Sequence, residues 1–292
     1  MFHWVRMRYP RMIAAGLLLA AAVPIHADDS WRPLFNGRDL SGWSTFMAAP
    51  PPETNVPGLR RDEKGKYLEP IGFNRDPLKV FTVETLDGGP VIHISGAGFG
   101  VMTTDETFSN YHLRLQVRWG EAKWGYKLHL ARDSGLLYLA RGPAGVDHAT
   151  WPSCLEFQIQ EHDFGDLFTL GKTQVTVPAR RPGKLWLYDP QGAPTVFVAR
   201  APIGARCCRL LDCEKPHGEW NTLDLICFGD GSIHIVNGTV VMRLHHAQIA
   251  EGAGPATLDS GQICLQTEGA ECFFRNVEIA SIGAVPPEYA AR

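Results

Sequence analysis

The sequence predicts an all-β protein, a sandwich of two antiparallel sheets of the jelly-roll kind, and three observations predict it. Apolar residues recur with a period of two, not 3.6, along most of the chain. Its 30 Gly and 21 Pro in 292 residues punctuate it at short spacing, as many short strands require. No amphipathic helical stretch runs beyond a turn or two. A chain that is 45% hydrophobic and 20% charged has ordinary globular composition, so disorder, collagen and coiled coil are excluded.

Residues 1–27 read as a signal peptide. Arg6, Arg8 and Arg11 form a positive head, Ile13 to Val23 is an apolar run, and Ala27 supplies the small residue at a cleavage site. A membrane anchor is the alternative, but the run falls short of the ~20 apolar residues that span a bilayer. The chain is therefore expected to be exported, to the periplasm or the extracellular space. No later segment is apolar enough to span a membrane, so no membrane partner is expected after cleavage. The formal net charge is −3; without the three arginines, 25 basic face 31 acidic residues, and there is no basic block. Nothing suits a phosphate backbone, and no nucleic-acid partner is expected.

Residues 28–282 are expected to form one sandwich domain. Asn36-Gly37 reads as a turn before a packed Trp43, and Ala48 to Lys66 as a loop insertion between strands. Tyr111 to Trp119 alternates without a break, Tyr111, Leu113, Leu115, Val117 and Trp119 on one face and His112, Arg114, Gln116 and Arg118 on the other. Leu155 to Gln160 alternates in the same way. Asn221–Phe228 and Ser232–Val236 read as a hairpin through Gly229-Asp230-Gly231. Val236-Asn237-Gly238-Thr239 reads as a second, its Asn-Gly pair suited to a type I′ turn. Gly261 to Gln266 and Cys272 to Ile279 read as a third. The tail, residues 283–292, carries Pro286-Pro287 and is expected to fray.

Seven cysteines lie beyond the signal peptide, and export permits disulfides. Cys213 is placed to bridge Cys207 or Cys208. Cys264 and Cys272 flank Thr267-Glu268-Gly269 and pair only if the loop puts them on one face. No C-x-x-C pair suggests zinc.

The chemistry-bearing segment is Ser153 to Leu170. On a strand, Glu156, Gln158 and Gln160 share one face while Leu155, Phe157 and Ile159 enter the core. A row of carboxylate and amides supplies the donors and acceptors that sugar hydroxyls need, though the same row also suits a plain solvated face. The pattern resembles that of laminarinase-type glycosidases but departs from it: Gln158 and Gln160 are amides, and ordinary hydrolysis needs two carboxylates. Arg132 and Asp133 precede a short apolar strand as a polar corner or a local ion pair. His162 follows the polar strand. Asn221 opens a strand, Glu268 sits at a turn, and His93, His112 and His234 lie within strands as surface or satisfied core residues.

Six segments occur in order: LFNGRDLSGW (34–43), RDSGLLY (132–138), EFQIQEHDFGDLF (156–168), GEWNTLDL (218–225), HIVNGTVV (234–241) and GQICLQTEGAECFFRNVEI (261–279). Together they resemble the 3-keto-disaccharide hydrolase family over roughly Trp31 to Ile282. The resemblance implies a concanavalin-like jelly roll and action on glycosides already oxidised at C3 of the sugar. There a base removes the C2 proton, the C1 substituent leaves by β-elimination, and water can add to the resulting glucal. It implies Glu156 or His162 as the base, with Arg132 or a divalent cation on the developing oxyanion. Asp133, Tyr138, Gln158, Gln160 and Glu268 would hold sugar hydroxyls, with Asp166 and Asn221 as further candidates. Ligands for a cation would be His162 with Glu156 or Asp166, although related chains often carry Gly at the place of His162. Such chemistry requires a sugar 3-oxidoreductase to supply the keto substrate. The alternative is a non-catalytic carbohydrate-binding sandwich, and an orthodox endoglycosidase is disfavoured by the two amides.

Overall fold

The structure is a computed structural model and describes residue 1 and residues 30–199, 203–252 and 254–290. The expected signal peptide, apart from Met1, lies outside the described residues. The described residues form two antiparallel sheets of twelve and nine strands that enclose one apolar layer.

The twelve-stranded sheet is built around Tyr111–Lys123, which pairs with Asn221–Phe228 on one side and Ala270–Ser281 on the other. Its alternating row points inward as expected: Leu113, Leu115 and Val117 are fully buried. Each such side chain contributes about 1.5–3 kcal/mol through removal from water. The two expected hairpins form. Phe228 pairs with Gly231, and Val236 with Thr239. Asn237 and Gly238 both take left-handed φ, 49° and 81°, which the type I′ turn requires.

The nine-stranded sheet sets Ser153–Gln160 beside Asp133–Arg141, which in turn pairs with Ser260–Glu268. Leu136, Tyr138, Leu155, Phe157, Ile159 and Leu265 fill the core from its inner face. A second cluster of Phe46, Val101, Leu137, Trp151, Cys154, Leu170 and Cys264 lies on its outer face.

The third expected hairpin is not one. Ser260–Glu268 belongs to the nine-stranded sheet and Ala270–Ser281 to the twelve-stranded sheet, so Gly269 is the point where the chain changes sheets. That crossover separates Cys264, in the outer cluster, from Cys272, in the central core. All seven cysteines are free thiols, which corrects the expectation of disulfides. The segment between Met47 and Gly72 is a loop insertion, packed down through Val56, Tyr67 and Ile71. The tail expected to fray is instead docked, with Val285 and Tyr289 against Ile226, Ile233, Ile235 and Ile282.

Candidate active site

A cavity of about 600 Å³ opens on the outer face of the nine-stranded sheet. Strand parity builds its floor. Glu156, Gln158 and Gln160 come from one strand, Asp133 from the next, and Gln266 and Glu268 from the one beyond. Phe99 and Tyr126 stack at one wall, ring centroids 5.8 Å apart and nearly parallel. His148 to Trp151 form another wall, and Ala48, Ala49, Phe168, Leu170 and Arg206 complete the lining.

Glu156 sits at the centre, 4% exposed, and its carboxyl has no hydrogen-bond partner among the described residues. Burial pushes its pKa well above the ordinary 4.5, and the neighbouring Glu268 and Asp133 push it further. The space it occupies depends on Gly135, in mid-strand beside it. A Cβ there would stand 2.4 Å from Glu156 Oε1 and 2.8 Å from Gln266 Oε1. Only glycine lets both side chains lean over that strand.

A buried ammonium balances the acids. Lys127, on the 3-10 helix Gly125–His129, contacts the Asp133 carboxylate and lies 3.8 Å from Glu268 Oε1. Gly269 admits it, because a Cβ at that turn would meet Lys127 Cγ at 2.9 Å. The Trp124 N–H donates to the Gly269 carbonyl at 2.8 Å and ties the helix to the crossover. Burial, then the charge of Glu268, raises the Asp133 pKa to about 7 against the pull of Lys127. Burial also raises Glu268, whose Oε1 accepts from the Tyr126 hydroxyl at 3.2 Å. Burial beside one another thus raises all three carboxyls, with one cation among them to offset the effect.

The cavity also holds unmet acceptors. Asp133 Oδ1 and Gln266 Oε1 are buried with no partner. Gln158 Oε1 accepts from the Ile159 N–H at 2.9 Å, which leaves its amide NH₂ for a ligand. Buried polar atoms are rarely left unpaired, and hydroxyl groups are the donors that would satisfy these.

The remaining candidates lie elsewhere, for reasons of parity and pairing. Tyr138 points inward, where its hydroxyl meets Ser232 Oγ and His234 Nε2, each at 2.9 Å. Burial lowers the pKa of His234 to about 4, so that histidine is a satisfied core residue. Arg132 is one residue out of phase with Asp133. Its guanidinium binds Glu161 at 2.8 Å and the Gly120 carbonyl at 2.9 Å, away from the cavity lining. Asp166 is fully buried and clamped by Arg206 at 2.6 Å and Arg209 at 3.1 Å. Asn221 belongs to the opposite sheet, where it accepts from Lys215 N and Asn237 Nδ2, each at 2.8 Å. His162 is exposed outside the cavity at φ 70°, a left-handed conformation that explains why glycine suits its place.

That arrangement does not fit the implied cation. His162 does not join Glu156, Asp166 is saturated by arginines, and among the described residues no group of three His, Cys, Asp or Glu converges. Sequence reasoning missed Lys127, Gly135, His148, Tyr126 and Arg206. Gly135 carried a readable signal, a glycine inside an alternating strand, which marks a close approach. Lys127 carried none, since its helix breaks the strand pattern and its partners are distant in sequence.

A β-sandwich whose outer sheet face gathers carboxyls, amides and aromatic walls in one cavity belongs to the class of carbohydrate-active sandwiches. Residues 30–280 match the 3-keto-alpha-glucoside-1,2-lyase-like domain, and the chain belongs to that family. No curated protein matches. Among solved structures, the chain is similar to a candidate glycosyl hydrolase from Parabacteroides distasonis ATCC 8503, at 21% identity and TM-score 0.48. That match covers 86% of this chain and 94% of the other. A second candidate glycosyl hydrolase from the same organism shares 18% identity at TM-score 0.45, covering 87% and 100%. The carbohydrate binding module CBM66 from Bacillus subtilis shares 13% identity at TM-score 0.40, covering 69% and 92%.

Proposed function

We propose that the chain is an exported enzyme that cleaves 3-keto-glycosides by proton abstraction at C2 and β-elimination of the C1 substituent. The observation that carries this reading is Glu156, a buried, unbonded carboxyl at the centre of a polar cavity. A C3 ketone acidifies the C2 hydrogen, so one carboxylate base suffices. A raised pKa makes Glu156 a stronger base than an ordinary carboxylate. The oxyanion role expected of Arg132 passes to Asp133, whose unpartnered Oδ1 can carry a proton and donate to the enolate oxygen while Lys127 holds Oδ2. Gln158, Gln160, Gln266 and Glu268 are left to hold the sugar hydroxyls. The substrate would come from a sugar 3-oxidoreductase acting upstream. Export would show as a secreted protein whose N-terminus is Asp28.

The test is paired turnover by the mature protein of 3-keto-trehalose or a 3-keto-glucoside and of the same unoxidised glycosides, with and without a chelator. Cleavage of the oxidised substrates alone, lost in Glu156→Gln, is the expected result. Cleavage of unoxidised glycosides would overturn it in favour of two-acid hydrolysis, for which Asp133 and Glu268 bring the carboxyls that the Glu156 strand lacks. Sugar binding without turnover would make the chain a binding module. Chelator sensitivity would return a cation to the site.

A further inference from the structure

We propose that Asp147 and His148 form the acid that protonates the departing glycosidic oxygen, an inference that rests on the elimination reading above. A sugar alkoxide is a poor leaving group, so cleavage of an unactivated glycoside needs a proton on the leaving oxygen as well as a base at C2. Neither Glu156 nor the Lys127–Asp133 pair is placed for that task.

Strand register carries the geometry. Asp133 pairs with Gln160 at one end of the two strands, Glu156 with Leu137 in the middle, and Ser153 with Arg141 at the far end. Residues 142–152 connect the strands at that far end, and His148 of this loop lines the cavity. The Lys127–Asp133 pair and His148 therefore flank Glu156 from opposite ends of the strand axis. A 3-keto-glycoside has the same order of atoms: C2 lies between the C3 carbonyl and the C1 substituent. With Glu156 at the C2 hydrogen and Asp133 at the C3 oxygen, the C1 oxygen is directed toward His148.

The histidine side chain is 81% exposed at the cavity wall, and one contact orients it. Its Nδ1 lies 2.9 Å from Asp147 Oδ1; in the imidazolium form that acts as the acid, Nδ1–H donates to that carboxylate and the Nε2–H is left to face the substrate. Asp147 is itself buried, and its Oδ2 accepts from the Gly171 N–H at 2.9 Å. His148 and Ala149 both take left-handed φ, 45° and 55°, a conformation sparsely populated by residues with a Cβ. Trp151 anchors the loop in the outer apolar cluster and so maintains it.

The step balances without a further reagent. Glu156 takes the C2 proton, and the electron pair forms the enolate at C3. The enolate collapses to the ketone, C1=C2 forms, and the C1–O bond breaks. The leaving oxygen takes the proton from His148 Nε2, and solvent then carries the proton on Glu156 back to the imidazole. The products are a 2-hydroxy-3-keto-glucal and an alcohol.

The experiment compares wild-type protein with His148→Asn on 4-nitrophenyl and methyl 3-keto-glucosides, with C2 hydrogen exchange followed in D₂O. Asparagine tolerates the left-handed backbone, and His148→Gln serves as a second variant. The expected result is a loss of about 10²–10⁴-fold in kcat/KM on the methyl glycoside, a loss of a few fold at most on the nitrophenyl glycoside, and retained C2 exchange. An equal loss on both substrates, or no loss on either, would overturn the assignment. If wild-type protein neither exchanges C2 hydrogen nor releases either alcohol, the elimination reading itself fails, and that outcome is read before any variant is made.

Discussion

Gly135→Ala tests whether the carboxyl at the centre of the cavity acts by its position. The new Cβ would stand 2.4 Å from Glu156 Oε1, whereas ordinary contact begins at 3.4 Å, so the carboxyl must retreat by about 1 Å. Gln266 Oε1, 2.8 Å from the same point, must retreat as well. Misplacing a reacting group by about 1 Å can cost on the order of 10²-fold in rate, or about 2.7 kcal/mol of barrier. Both obstructing atoms are the far ends of side chains facing a cavity, so overpacking should cost stability only about 1–3 kcal/mol. The assay is kcat/KM on a 3-keto-glucoside beside chemical denaturation, with Gly183→Ala as the control because a Cβ there meets nothing within 4 Å. Folded Gly135→Ala protein that turns over within about threefold of wild type would refute the reasoning, since the position of Glu156 would then not matter to the rate.

Three further outcomes are expected. Burial raises the Glu156 pKa above its unfolded value near 4.5, so the native chain keeps a proton that the unfolded chain releases, and stability falls as pH rises past that value. Glu156→Gln should flatten that fall while abolishing turnover; melting at pH 5 and pH 8 checks it, and an unchanged slope would mean the carboxyl is not the buried acid. Lys127→Met leaves Asp133 and Glu268 without their cation and should cost about 3–5 kcal/mol in denaturant titration; a loss below about 1 kcal/mol would show that the pair carries little. Tyr138→Phe should keep kcat and lose about 1–3 kcal/mol, because Ser232 and His234 lose a partner; a fall in kcat without loss of stability would restore the substrate role expected from sequence.

Much of the fold was legible because strand periodicity is a local property. The alternation of Tyr111 to Trp119 already assigns the inward row, and Asn237-Gly238 already selects its turn. The same alternation placed Glu156, Gln158 and Gln160 together on the cavity floor. Parity also shows why Tyr138 falls away from them: Asp133 faces out, and five positions later the side chain faces the core. What misled the reading was adjacency. Cys264 and Cys272 sit close in sequence on either side of what resembles a hairpin turn, and Gly269 sends their strands into different sheets.

By itself, then, the sequence determined the all-β class, the two hairpins, the inner and outer faces of the Tyr111 to Trp119 and Leu155 to Gln160 segments and one row of the site, because side-chain direction follows from a period of two. Only the tertiary structure decided which rows meet. Lys127 reaches Asp133 and Glu268 across a sheet crossover, and His148 reaches the same cavity from the opposite end of the strands. The protonation of Glu156, Asp133 and Glu268 is likewise a tertiary property. It arises from burial beside one another, and no spacing along the chain encodes the low dielectric and the shared cation that shift them.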